Sequence, residues 1–293
     1  MRTMEFPQKP WPVATAEQIE PMVRRVLAAN PSAFTYTGTQ SYLVGGAAGV
    51  AVIDPGPDAP DHIAALIAAI GDAPVLAIVC THTHRDHSPA AAPLAAATGA
   101  PVIGCAPLVL SDDGPRADAP FDQTYRPDRQ LADGESITGP GWTLTAVATP
   151  GHTSNHLCLA LEGTGVLFTG DHVMGWSTSV ITPPDGDMAE YMASLQKLHE
   201  RDDRIYYPAH GPAVTKPRQF VRGMIGHRRQ RENQIVRLIE AGTGTIEAMV
   251  PLMYKGVDKA LYPAAGRSVL AHLIDLHNRG RVNREGETWS IAA

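Results

Sequence analysis

Apolar and polar positions alternate along the chain in short blocks, and the blocks predict strands and helices in turn. "SYLVGG" and "GVAVIDPGP" are apolar runs separated by glycine; each predicts a short strand, the second ending at Asp54 before a Pro-Gly turn. In "DHIAALIAAIGD", Ile63, Leu66, Ile67 and Ile70 recur at helical spacing. "PVLAIVC" (74–80) is apolar throughout, as a strand buried on both faces is. Strand, helix and strand predict a βαβ unit, and ligand sites in α/β sheets lie beyond such strand ends. There the chain reads "THTHRDHSP" (81–89).

Ser88 is placed to cap a helix starting at Pro89 and stopping at Gly99. The stretch "SDDGPRADAPFDQTYRPDRQLADGE" is polar and turn-rich, and predicts an excursion at the domain edge. "WTLTAVATP" alternates as a half-buried strand and runs into "PGHTSNH"; "HLCLALEGTGVLFTGD" predicts a hairpin ending at Asp171. Met188, Tyr191, Met192, Leu195 and Leu198 form one helical stripe, read as core packing. "RIYYPAHGP" predicts a short strand ending at His210. Four times a strand ends, Gly or Pro turns the chain, and His or Asp is presented: His82/His84/Asp86/His87, His152, Asp171 and His210. Packing does not account for four such endings.

Beyond residue 215 the pattern changes. "RQFVRGMIGHRRQRENQIVRLIEAGTGTIEAMVPLMY" predicts a long helix and a second one. "GRSVLAHLIDLHNRGRV" adds a third, with Val269, Leu270, Leu273, Ile274 and Leu276 inside, and "GRVNREGETWSI" a hairpin around Glu285-Gly286. Three helices and a hairpin outline a winged helix, so the chain divides into 1–215 and 216–293.

Composition narrows the function classes. With 44% hydrophobic and 18% charged residues the chain is an ordinary globular protein. "MRTMEFPQKPWPVA" lacks the apolar stretch of a signal peptide, and no run has the length of a membrane span. Cys80, Cys105 and Cys158 are scattered, odd in number and set in apolar runs, which predicts reduced core thiols and a cytoplasmic location. The net charge of −6 conceals an asymmetry: from Lys216 onward, thirteen Lys/Arg face seven Asp/Glu. Such a basic quarter on an acidic body steers anionic partners, or is simply a solvated helix face in "HRRQRENQ" (227–234).

Histidine with aspartate is a donor set for first-row divalent ions, zinc above all, with manganese or iron as alternatives. In an extended loop His82 and His84 point to one side and reach one ion; Asp86 and His87 turn away toward a second. A carboxylate such as Asp171 bridges a pair of ions about 3.5–4 Å apart, which share an activated water.

The order "THTHRDH", "PGHT", "TGD", "PAHGP" resembles the metallo-β-lactamase-fold hydrolase superfamily over about residues 35–215. The resemblance implies a four-layer αβ/βα sandwich with two metals at the sheet edges. It assigns His82, His84 and His152 to the first metal, Asp86, His87 and His210 to the second, and Asp171 to the bridge. Lactamases of the best-known subclass carry cysteine where this chain has Asp171, which argues against antibiotic hydrolysis. With the C-terminal helices and "GDMAEYMASL", the chain is similar to the β-lactamase-like protein 2 group, and also to thioesterases that release polyketides from carrier proteins.

Further candidates surround the ligands. Asp54 matches a position that supports a metal-binding histidine in the superfamily. His156 is placed to orient the site, His172 to touch substrate, and Ser177, Thr178 and Ser179 to donate to a substrate oxygen. The expected mechanism is attack of metal-bridged hydroxide on a carbonyl or phosphoryl group, with Asp86 orienting the nucleophile. An ester or thioester, including acyl-CoA or acyl-carrier substrates, is the first reading. Single-stranded RNA is the second, although 6% aromatics leave no stacking platform. A nucleic-acid-binding protein with a vestigial hydrolase domain is the third. The C-terminal segment is also a candidate homodimer element.

Overall fold

The computed structural model describes residues 11–110 and 121–292. The N-terminal "MRTMEFPQKP" and ten residues of the polar excursion, 111–120, lie outside them.

Two sheets face each other. The first has seven strands in chain order: β1 (Ala16–Glu20), β2 (Val23–Leu27), β3 (Gln40–Gly46), β4 (Gly49–Ile53), β5 (Val75–Cys80), β6 (Val102–Gly104) and β7 (Arg129–Gln130). The second runs β12 (Ile205–Pro208), β11 (Val166–Gly170), β10 (Leu157–Leu161), β9 (Trp142–Ala148), β8 (Ser136–Gly139). The expected βαβ unit is present: β4 and β5 pair in parallel through α1 (Pro60–Ile70). Val50, Val52, Ile78, Val79, Leu144, Leu159 and Phe168 close the interior, with Leu66 and Leu94 packed on it from α1 and α2 (Ala91–Thr98). On the outer side of the second sheet, α3 (Met188–Glu200) lays Met188, Tyr191, Leu195 and Leu198 onto Val147, Cys158 and Leu167. The layers are thus helix, sheet, sheet, helix, the expected sandwich.

Two local expectations are corrected. Ser88 does not cap α2, whose N-cap is Ala90 with no side-chain bond; the Ser88 hydroxyl donates to Asp122 at 3.0 Å instead. Pattern did not predict β1 and β2: "AEQIE" is an edge strand with little buried surface, and "VRRVL" sets two arginines in the middle of a largely buried strand. The hairpin is held by cross-strand pairing that includes Arg25 and Glu17.

The two sheets are stitched at one end. Gln40 at the start of β3 donates from Nε2 to the Pro208 and Gly211 carbonyls at 3.2 and 2.7 Å, and Tyr42 donates to Pro208 at 2.6 Å. The Leu157 amide donates to Thr81 at 2.9 Å. These bonds draw the ends of β5, β10 and β12 together.

The C-terminal segment holds the expected three helices and hairpin: α4 (Pro217–Glu240), α5 (Ile246–Met253), α6 (Tyr262–Asn278), and β13 (Val282–Glu285) paired with β14 (Thr288–Ile291). A 3₁₀ turn (Lys259–Leu261) precedes α6. The long helix is shared. Val221, Met224 and Ile225 pack into the α3 core, whereas Ile235 and Ile239 join Met249, Val269, Leu273 and Trp289. Among the described residues no helix is long and apolar enough to cross a membrane.

Candidate metal centre

The loop after β5 carries His82 to His87, the turn after β9 carries His152, and Asp171 and His210 follow β11 and β12. The structure brings these distant positions into two adjoining groups, His82/His84/His152/Asp171 and Asp86/His87/His210, each with donor atoms within 4.8 Å of one another. Three ring nitrogens converge in the first: His84 Nδ1 lies 3.0 Å from His82 Nε2 and 3.1 Å from His152 Nε2. Asp171 touches both groups. Its Oδ2 is 3.7 Å from His152 Nε2 and 3.6 Å from His87 Nε2, and its Oδ1 is 3.3 Å from His210 Nε2. Asp86 Oδ2 stands 3.1 Å from His210 Nε2 and 3.5 Å from His87 Nε2.

The far nitrogen of each of four histidines is committed, and this sets the tautomers. His152 Nδ1 donates to the Val180 carbonyl at 2.6 Å and His210 Nδ1 to Gly38 at 3.3 Å. Asp54 Oδ2 takes the Nδ1–H of His87 at 3.0 Å. The same carboxylate accepts from the Thr81 hydroxyl at 2.8 Å and the Thr81 amide at 2.7 Å. Because the Thr81 hydroxyl donates to Asp54, it accepts from His82 Nδ1 at 3.0 Å. In all four rings Nε2 is the nitrogen turned toward the centre. Such outer partners orient metal-binding imidazoles and raise their basicity.

Backbone strain marks the same place. Asp54 has φ 45°, in the left-handed region that residues other than glycine rarely occupy, and the position is held by its three acceptor bonds. Gly170 has φ 48°, and a Cβ there would lie 2.6 Å from His156 Nε2 and 2.7 Å from the Thr81 hydroxyl. His156 is packed that closely because its Nε2 accepts the Asp171 amide at 3.2 Å while Nδ1 faces Thr149 at 2.9 Å.

Charge divides the centre. Burial pushes His82 well below the usual histidine range and His84 down to about 3, with neighbouring histidines adding to the effect. In the other half burial opposes charge and loses. His87 and His210 hold the Asp86 and Asp171 carboxylates well below their usual range; both imidazoles are pushed up in return, His210 to about 10.

The donor set fits two divalent ions. His87 Nε2, His210 Nε2 and Asp171 Oδ1 are buried and face one another as ion pairs without making a hydrogen bond, an arrangement that a cation would satisfy. Five imidazoles and two carboxylates suit zinc, manganese or iron alike.

The remaining candidates separate. Ser179 is buried and spends its hydroxyl on the Asp171 and His172 carbonyls, at 2.6 and 2.8 Å, so it is not a free donor to substrate. His172 is fully buried against Tyr191, ring centroids 4.7 Å apart, which removes it from substrate contact as placed. Ser177 is exposed and Thr178 half-buried in the same loop. Thr81, Thr149 and Val180 were not singled out from sequence; only Thr81, inside "THTH", carried a local signal. Arg228 belongs to the stretch read as an anion-steering patch or a solvated helix face; it is 4% exposed and is neither.

Comparison with known proteins agrees with this geometry. Residues 35–210 match the metallo-beta-lactamase superfamily, and residues 245–289 match the beta-lactamase associated winged helix domain. The chain is 33% identical over 277 residues to the beta-lactamase-like protein 2 homolog of Drosophila melanogaster, covering 89% of both chains. It is 32% identical over 244 residues to an atrochrysone carboxyl ACP thioesterase of Aspergillus chevalieri, covering 80% of this chain and 73% of that one. In fold it is similar to a beta-lactamase domain protein from Burkholderia ambifaria, at TM-score 0.78 and 20% identity, covering 98% and 96% of the two chains. With its ligand order, its sandwich and its C-terminal hairpin domain accounted for together, the chain belongs to the metallo-beta-lactamase superfamily of hydrolases.

Proposed function

We propose that this protein hydrolyses the thioester, or a similarly activated ester, of a small acyl group. One observation carries the choice of substrate. An apolar groove of about 660 Å³ begins where the chain leaves two of the seven donors. Gly175 and Thr178 follow Asp171, Ala213 and Val214 follow His210, and Phe220 and Met224 of α4 form the far wall. Lys216 and His227 border it, which suits an acyl chain attached to a polar or anionic carrier. The thioesterase relative, 32% identical, supports the same class.

Two divalent ions held by these residues, zinc first and manganese or iron as alternatives, would supply Lewis acidity and lower the pKa of water. The chain's own part is positional. His82, His152, His87 and His210 present Nε2 in orientations fixed by their outer partners, His84 presents Nδ1, and Asp171 sets the separation of the two groups. Asp86, the more open carboxylate with 21% of its side chain exposed, orients the attacking water and holds its proton at Oδ2. The carbonyl carbon gains the water oxygen, the C–S bond breaks, and the leaving thiolate takes a proton. All three cysteines are buried and unpaired, which supports a cytoplasmic setting.

Single-stranded RNA is the second reading. Arg218, Arg222, Arg229 and Arg237 are exposed along α4 and favour a polyanion. The deciding experiment compares an acyl-CoA panel with single-stranded RNA, using zinc-loaded protein and a His87→Ala control. Thioester cleavage lost in the control supports the proposal. RNA cleavage lost in the control, with no thioester turnover, replaces it by the second reading.

A further inference from the structure

Helix α4 sends one charged side chain inward. Arg228 is buried beneath the loop that follows the bridging aspartate, and the partners it finds are neutral. Its Nη2 donates to the Ser179 carbonyl, its Nη1 to the Ser268 hydroxyl at 3.4 Å, and its guanidinium lies 5.2 Å from the centre of the Tyr191 ring. Taking a guanidinium out of water is costly, so its placement needs a reason.

The reason lies one bond further in. Ser179, whose carbonyl Arg228 holds, ties its own hydroxyl to the backbone carbonyls of Asp171 and His172. The next carbonyl, that of Val180, receives His152 Nδ1. The Ser179–Val180 peptide therefore fixes two metal donors at once, Asp171 through its main chain and His152 through its ring. Tyr191 closes the arrangement: its hydroxyl donates to the His172 carbonyl at 3.2 Å, one ring face meets His172, and Arg228 packs against the ring as well. Sequence separation makes this a tertiary device, since Arg228 and Ser179 stand 49 positions apart in the chain.

We propose that Arg228 is a positioning residue for the metal centre, so that the helix joining the C-terminal domain sets the geometry of Asp171 and His152 through Ser179–Val180. This rests on the reading of the seven donors as a metal site. It makes α4 a working part of the centre, beyond its role as a cover.

The test is zinc affinity of the full-length apo-protein, read by competition with a chromophoric chelator, beside the thermal midpoint of the same apo-protein. Arg228→Met is compared with a matched lesion three residues along, Arg231→Met. Arg231 binds the Met253 carbonyl at 3.0 Å and stacks on Tyr254, ties that belong to the C-terminal domain alone. The expected result is a loss of zinc affinity of about tenfold or more in Arg228→Met, the scale of lost outer-shell support. Arg231→Met lowers the midpoint and leaves zinc affinity unchanged. Arg228→Lys keeps the charge and a donor to Ser179; it recovers part of the affinity, and it carries the test if the methionine variant does not fold. Equal zinc affinity in Arg228→Met and Arg231→Met overturns the proposal, as does a lysine variant no better than methionine. Wild-type protein that takes up no zinc fails the metal-site reading itself, a different result from zinc binding that Arg228→Met leaves untouched.

Discussion

Asp54 and His87 stand 33 residues apart in the chain, and the Asp54 carboxylate takes the Nδ1–H of the buried His87 ring at 3.0 Å. That one bond turns His87 Nε2 toward Asp86 and Asp171. Asp54→Asn keeps a side chain tolerant of the left-handed backbone at φ 45° and removes the charge. Zinc affinity is expected to fall about 10- to 100-fold. Chelator competition measures it, and an affinity equal to wild type removes Asp54 from the centre.

Among the described residues, Asp171 has carboxylate oxygens within 3.7 Å of ring nitrogens in both donor groups. Asp171→Ala is expected to reduce metal content and to lower turnover by about a hundredfold or more, since both groups lose a ligand. Metal analysis of purified protein with a thioester assay tests this. A fully metallated, active alanine variant would refute the bridging role.

Zinc uptake should release protons. Without metal, His87 and His210 are pushed up by the carboxylates beside them, His210 to about 10, so both are charged at pH 7.5 and must lose a proton to act as ligands. Filling both positions is expected to release about two protons, measured by titration calorimetry in buffers of different ionisation enthalpy. The sign for folding follows. A raised histidine pKa stabilises the apo-protein fully below the ordinary value of 6.5, and that contribution is lost as pH rises through about 10. The apo midpoint should therefore fall between pH 7 and 10. Buffer-independent binding heats would contradict the charged pairing.

Gly170→Ala puts a methyl group 2.6 Å from His156 Nε2 at a position with φ 48°. Strain plus displacement of His156 and Thr81 should cost about 2 kcal/mol or more. Urea denaturation of the apo-protein reads the loss, and an unchanged midpoint would mean that the strand end relaxes freely.

Gly223 lines the apolar groove, and a Cβ there meets no atom within 4 Å. Gly223→Phe should fill the groove without disturbing α4. KM for long-chain thioesters is expected to rise roughly tenfold, the value of a lost apolar contact surface, while acetyl thioesters keep their kinetics. Equal effects on short and long chains would place the acyl group elsewhere.

The seven candidate donors stood out in the sequence because each follows a strand end, with a Gly or Pro turn beside His152, Asp171 and His210, a signal written in neighbouring residues. The same locality made β3 to β5, α1 and the β10–β11 hairpin readable from periodicity. Ser179 and His172 show where that reading stops. Both lie in a loop bordering the site, and only the packed structure shows the Ser179 hydroxyl bonded to backbone carbonyls and the His172 ring buried against Tyr191.

The sequence by itself determined which residues are candidate metal donors and in what order they come, since residue type and strand periodicity are properties of short stretches of chain. Only the tertiary structure decided which nitrogen of each histidine faces the centre, and that a buried arginine from α4 braces it. Those outcomes depend on bonds such as Gln40 to Gly211, Asp54 to His87 and Arg228 to Ser179. Each joins residues brought together by the closure of two sheets and the docking of a helix, and no local pattern encodes the pairing.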